Sequence, residues 1–395
     1  MKNRIPVWTA LLIAVGAAVL TLALSFGVQL AMSSFSERGK YYPSDKLNEA
    51  LAVIDRYYVG DWDVEELTDA ALTGAVEALG DRWSFYMPAD MVREYMNDSE
   101  NLYDGIGIVI SKRAEGGLLI TSVYDVSPAT NAGIIAGSVI YSVDGEDITD
   151  YTLDDAKAVI AARIAEGAVT LTLTDPDGAE RTVTLKPGKV ELIPVSYSML
   201  DGGVGYIHIE NFKARSADLM IEAVEALRAD GASSLLFDVR NNPGGSLDEL
   251  LKALDYLLPQ GVLFVSQVKG GVPEREYSDP SCVEMPMAVL INSESYSAAE
   301  FFSAALSEYG WATLVGEKTT GKGHAQTTIG LSDGSALHIS IEEYFTPNGV
   351  CLDNVGLTPD VELPLSEDDF ALLYYEMLAP EDDAQLIAAA ALLAD

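Results

Sequence analysis

A layered α/β body, preceded by a β-rich domain, a short helical segment and one apolar N-terminal span, is the architecture this 395-residue sequence predicts. Three observations carry it. Ile5 to Met32 is a run of 28 residues without a charge. From Gly105 to about residue 188, strand-like runs are separated by turn signals, and after Lys189 strand-like and helix-like segments alternate.

Taken in order, residues 1–40 read as a cytoplasmic stub, a transmembrane anchor and a short linker. At about 1.5 Å per residue a helical Ile5–Met32 crosses a hydrocarbon core of roughly 30 Å. Lys2 and Arg4 precede it, so the positive-inside rule places the bulk of the chain outside the cytoplasm. A cleavable signal peptide would carry a shorter apolar core of about 7–15 residues, which favours an uncleaved, single-pass anchor in the cell membrane. Residues 41–100 carry helical spacing, as in Leu47, Leu51, Ile54 and Tyr58, then Leu67, Ala71, Val76 and Leu79. Residues 101–188 hold GIGIVI, GLLITSV, SVIYSVDG and VTLTLTD with one helical stretch from Leu153 to Ile164. Residues 189–365 alternate VGYIHI, Ala217–Ala229, SLLFDVR, Leu247–Leu258, MAVLIN and Ala298–Tyr309, which predicts a partly parallel sheet. The end, 366–395, is acidic yet contains LLYYEML and QLIAAAALLA, so one or two helices with a solvated acidic side should pack on the body.

Composition excludes several functions. The formal charge is −37, and because residues 1–40 contribute +3 the exported part carries −40. Such a field repels polyphosphates and anionic lipid surfaces, so nucleic acid is not an expected partner. Cys282, Cys351, His208, His324 and His338 lack zinc-ligand spacing, so no metal or other cofactor is expected. Export permits a disulfide between the two cysteines, but spacing alone does not place them within bridging distance. Gly316–Gly323, GEKTTGKG, approaches a phosphate-binding P-loop, but Gly323 stands where the magnesium-binding hydroxyl belongs and a strand-like pattern follows instead of a helix. The nucleophile-elbow pattern GxSxG is absent.

Chemistry concentrates in three segments. Ser297 follows the apolar strand MAVLIN and precedes a helical pattern, a junction that presents a hydroxyl at a helix N-terminus. Ser297-Ala298-Ala299-Glu300 also reads as a capping box, a purely structural use of the same residues. Lys322 in TGKGHAQ is flanked by glycines, with Gln326 on the same side if both lie on one strand. A lysine buried among apolar groups can lose its proton near neutrality and serve as general base, whereas an ordinary surface lysine cannot. Asn241-Asn242-Pro243-Gly244-Gly245 ends a hydrophobic strand with glycine N–H groups that suit an oxyanion hole or, equally, a tight turn.

Together, VGYIHIENF, LLFDVRNNPGGSLDE, VLINSESYSAAEFFSAAL, LVGEKTTGKGHAQ, LSDGSALHISIEEYFTPNG and GLTPD resemble, in order and spacing, the blocks of the carboxy-terminal processing peptidases. These are serine proteases with a Ser-Lys dyad and an inserted PDZ domain. The stretch through ALTGAVEALGDRWSFYM resembles their N-terminal cap, and YDGIGIVI with VSPATNAGIIAGSVIYSVDGEDI resembles their PDZ domain. The implied fold is an α/β protease core (189–365) with a helical cap (41–100) and an inserted PDZ domain (101–188). The resemblance makes Ser297 the nucleophile, Lys322 the general base and Gln326 the residue that orients it, with Ala298 N–H and the N–H of Gly244 or Gly245 as oxyanion hole. It makes Gly105, Ile106, Gly107 and Ile108 the loop that holds a peptide carboxylate. Glu308 falls where some members carry an acidic residue, though its place late in a helix suits a structural role. His324 departs from the family pattern, and the sequence shows no acid partner for it.

The function implied is a membrane-anchored, extracytoplasmic endopeptidase acting on proteins or peptides with apolar C-terminal tails, and self-association is a family trait. The alternative from another class is a catalytically silent PDZ scaffold that holds the C-termini of exported proteins.

Overall fold

The computed structural model describes residues 43–375 and 377–394. The apolar span Ile5–Met32 lies outside the described residues, and among those described no helix is long and apolar enough to cross a membrane. The chain divides at Thr68 into two compact units. The first contains the helix Pro43–Tyr57 and opens the helix Val64–Glu77, whose start is fixed by the Asp63 carboxylate accepting from Glu65 and Glu66 N–H at 2.8 and 3.0 Å.

In the second unit, the segment GDRWSFYM departs from its helical reading. Phe85–Met87 is a strand, paired antiparallel with Ala336–Phe345, and only that partner some 250 positions away makes three residues extended. Leu102–Gly105 and Gly188–Glu191 then pair antiparallel and close the neck of an inserted domain. Inside it runs an antiparallel sheet in the order Ile108–Lys112, Leu118–Val123, Val139–Val143, Val169–Thr174 and Glu180–Leu185. VTLTLT shows how sequence builds it: Val169, Leu171 and Leu173 are fully buried, while Thr170 and Thr172 pair outward with Thr184 and Thr182. The helix Leu153–Ala165 covers the core with Ala156 and Ile160.

The larger body is built on a six-stranded sheet in the order Val195–Leu200, Val204–Ile209, Ser234–Asp238, Met287–Ile291, Ala312–Gly316 and Val361–Glu362. The first pair is antiparallel and the rest parallel. Its central strands, SLLFD and MAVLI, are buried on both faces, as continuous apolar runs in parallel sheets are. Ile207, Leu235, Phe237, Val289 and Ile291 face the helices Ser216–Ala229, Leu247–Leu257 and Ala298–Glu308. Leu236, Ala288 and Leu290 face Leu386 and Ala389 of the C-terminal helix Ala384–Ala394. That helix is anchored by Arg240, whose buried guanidinium pairs with Asp238 at 2.5 Å and with Asp383 at 2.7 Å. A second sheet joins Phe85–Met87, Ala336–Phe345, Val262–Val268 and Glu274–Tyr277, with His324–Gly330 also paired to Ala336–Phe345. Cys282 and Cys351 are free thiols.

Candidate active site

The buried strand Met287–Ile291 ends in a turn stitched to the end of its neighbour Ser234–Asp238. Asn292 Oδ1 accepts from Asn241 N–H at 2.9 Å, Asn292 Nδ2 donates to Asn241 Oδ1 at 2.8 Å, and Ser295 donates to the Val239 carbonyl at 2.7 Å. Tyr296 N–H donates to the Asn242 carbonyl at 3.1 Å. The next residue, Ser297, carries φ 58° and is only 9% exposed. A positive φ on a non-glycine residue is a strained state that its surroundings must impose.

Those surroundings include Gly244, with φ 85°, so close that a Cβ there would stand 2.7 Å from Ser297 Cβ and 2.8 Å from Ala298 N. Only glycine tolerates both the backbone and the approach. Gly244 N–H donates to Asn242 Oδ1 at 2.8 Å, which removes it from the choice between Gly244 and Gly245 as oxyanion donor. Gly245 N–H and Ala298 N–H take part in no hydrogen bond of the described residues.

Glu300 is the residue whose role sequence reasoning missed. Its carboxylate, fully buried, accepts from Ser297 N–H at 3.0 Å, from Gly321 N–H and Lys322 N–H at 2.8 Å each, and from the Thr319 hydroxyl. The capping-box spacing announced the first of these bonds, but nothing in it announced the other three. Burial pushes the Glu300 carboxyl pKa up, while these hydrogen bonds oppose the shift and present only donors to it, which suits the ionised form.

Lys322 is therefore tied to the Ser297 turn through its backbone. Burial brings its ammonium pKa down to about 8, against the opposing pull of Asp81 and Glu300. Its Nζ lies 4.6 Å from the Trp83 ring centroid and 5.9 Å from that of Tyr296. Among the described residues no hydrogen bond joins Nζ to the Ser297 hydroxyl or to Gln326.

The expectation that Lys322 and Gln326 share one strand face is corrected. The strand begins at His324, and its register against Ala336–Phe345 slips between Ala325 and Gln326, so the two-residue alternation does not connect them. Gln326 Nε2 donates to the His324 carbonyl at 2.9 Å and to Ser340 Oγ at 3.0 Å. His324, for which the sequence offered no acid, has one: Nδ1 is 2.9 Å from Asp353 Oδ1, a contact made by a loop 29 residues on. Glu308 holds the Thr346 hydroxyl at 2.6 Å and Asn348 N–H at 2.8 Å, a structural use.

Beside Ser297 is a small pocket lined by Leu247, Leu250, Phe264, Phe301 and Tyr344. In the inserted domain, Gly105 ends the neck ribbon, Ile106 is buried, and Gly107 has φ 79° with Ser127 directly against it. Ile108 opens a strand at the sheet margin, which has one neighbour among the described residues.

A strained serine at a helix start, a desolvated lysine held beside it and two unengaged N–H groups are the parts of a serine-type peptidase centre. Residues 203–363 match peptidase family S41 and residues 119–173 match a PDZ domain. The chain is 28% identical over 378 residues to the carboxy-terminal processing protease CtpA of Bacillus subtilis, covering 95% of this chain and 80% of that one. It is 29% identical over 370 residues to the "Probable CtpA-like serine protease" of Staphylococcus haemolyticus, covering 92% and 74%. A crystal structure from Bacteroides fragilis, assigned to the S41 proteases, shares the fold with a TM-score of 0.54 at 19% identity, covering 90% of this chain and 98% of that one. The chain belongs to peptidase family S41 and is a serine peptidase carrying a PDZ domain.

Proposed function

We propose that the chain is a membrane-anchored, extracytoplasmic endopeptidase that cleaves proteins near their C-termini through a Ser297–Lys322 dyad. The observation that carries the reading is Glu300: one buried carboxylate binds the backbone of both residues and so holds nucleophile and base loop in register. In the neutral form, Lys322 takes the Ser297 proton as Oγ bonds to the scissile carbonyl carbon. The oxyanion that forms faces Ala298 N–H and Gly245 N–H. As the C–N bond breaks, the proton passes from Lys322 to the leaving amine. Water, deprotonated by the same lysine, then hydrolyses the acyl-enzyme. Gln326 Oε1 is left as an acceptor for the amine when it moves toward Ser297.

Two features support apolar tails as substrates. The small pocket beside Ser297 is walled by Leu247, Leu250, Phe264 and Phe301, so the surface next to the serine is apolar. The Gly105–Ile108 loop leads into a margin strand that an extended peptide could join, its carboxylate on the loop N–H groups. The named activity of the Bacillus relative agrees with action at C-termini. The uncharged run Ile5–Met32 supports the anchor, and fractionation with protease accessibility of the body would test it.

The alternative, a silent PDZ scaffold, draws on the position of Lys322 Nζ over Trp83 rather than on the serine. One experiment separates the two. Wild type, Ser297→Ala and Lys322→Ala are incubated with a peptide ending in an apolar tail and with a serine-directed fluorophosphonate. Cleavage and labelling by the wild type alone are expected, whereas tail binding without labelling would establish the scaffold.

A further inference from the structure

Lys322 Nζ makes no hydrogen bond or ion pair among the described residues, and it lies over the Trp83 ring, 4.6 Å from its centroid. Trp83 comes from the cap, and it is held there firmly. Asp81 accepts from Trp83 N–H at 3.0 Å and from the Ser84 hydroxyl at 2.5 Å, and Ser84 Oγ in turn accepts from Ser340 N–H at 3.0 Å. The strand Phe85–Met87 that follows is paired into the sheet. The Trp83 ring lies 5.4 Å from Tyr296, the residue before the nucleophile, and 4.3 Å from the Arg82 guanidinium.

An indole face attracts an ammonium ion and offers little to a neutral amine. The ring therefore discriminates between the two protonation states of the group it touches. We infer that Trp83 is a positioning residue for the base: its ring holds the ammonium form of Lys322 off the Ser297 hydroxyl, and the amine leaves the ring to take the serine proton. The inference rests on Lys322 serving as that base.

The other groups facing Lys322 come from each element packed around it. Asp81 from the cap and Glu300 from the nucleophile helix favour the ammonium, and Arg82 opposes it. His338, on the strand Ala336–Phe345, is itself kept neutral near pH 7, its pKa brought down to about 4 by burial and the Lys322 charge. The Tyr296 phenol, its pKa raised by burial, stays neutral as well. The Lys322→Ala profile separates the contribution of the amine from that of its charged neighbours.

The test measures the rate of Ser297 labelling by a fluorophosphonate against pH, in the full chain, for wild type, Trp83→Leu, Trp83→Phe and Lys322→Ala. The rising limb should move to lower pH by about 0.4 to 1.5 units in Trp83→Leu, the span of a cation–π contact, and by less in Trp83→Phe. Near-UV circular dichroism confirms folding, and if the leucine variant does not fold, the phenylalanine variant decides. A midpoint unmoved in a folded Trp83 variant, with the limb absent in Lys322→Ala, overturns the role of Trp83 and leaves the dyad standing. A wild-type profile in Lys322→Ala removes the dyad, and the inference with it.

Discussion

Ser297 and Lys322 hang from one oxygen: Glu300 Oε2 accepts from Ser297 N–H at 3.0 Å and from Lys322 N–H at 2.8 Å. The Ser297 turn and the Lys322 loop thus share a single buried anchor, although 25 residues separate the two in sequence.

Glu300→Gln should break this link with almost no change in shape. A carboxylate can receive four donors, whereas an amide turns two of its own hydrogens toward them. Leaving buried N–H groups unsatisfied should cost about 2–3 kcal/mol of stability in urea unfolding. Turnover of a tail peptide should fall at least tenfold even where the variant is fully folded, because the two backbones are no longer held in register. Unchanged turnover in the folded variant would remove Glu300 as the brace.

Lys322 should leave a mark on stability as well as on activity. Its pKa is brought down from 10.5 to about 8 in the folded chain, so between those values the unfolded chain binds more protons. The wild type should therefore gain stability as pH rises from about 8 toward 10.5. Lys322→Met should be the more stable protein at pH 7, and its advantage should shrink over that window. Denaturant midpoints at about pH 7, 9 and 10 check it; parallel curves would contradict the burial of this amine.

Gly244→Ala introduces a methyl 2.7 Å from Ser297 Cβ at a φ of 85°. Nothing at either point can retreat, since Ser297 is itself strained and Gly244 N–H is tied to Asn242. The expected result is a loss of about 1–3 kcal/mol in stability and near-complete loss of serine labelling. Full labelling would show that the NNPGG turn does not abut the nucleophile.

Asp383→Asn tests the hold on the C-terminal helix. Arg240 is 2% exposed and relies on Asp238 and Asp383, so removing one charge leaves a buried guanidinium undercompensated. A cost of about 3 kcal/mol is expected, with hydrogen exchange rising first in Ala384–Ala394. Equal protection of that helix in the variant would mean that Leu386 and Ala389 suffice.

Much of the molecule was legible in the residues themselves. Apolar runs such as MAVLI and the alternation in VTLTLT are local patterns, and each dictates which face must be buried wherever the segment lands. The turn that ends at Ser297 and the glycine-rich turns around Gly244 and Lys322 were legible as local geometry for the same reason, since strand-turn-helix junctions and glycine-flanked turns are written in a few adjacent letters. Local pattern says nothing of distant partners. Folding alone decided that Glu300 joins Ser297 to Lys322, that His324 meets Asp353, that Gly245 rather than Gly244 keeps its N–H free, and that Trp83 lies under the amine. These are contacts between segments whose spacing carries no period, and their positions follow from which sheets and turns close on one another.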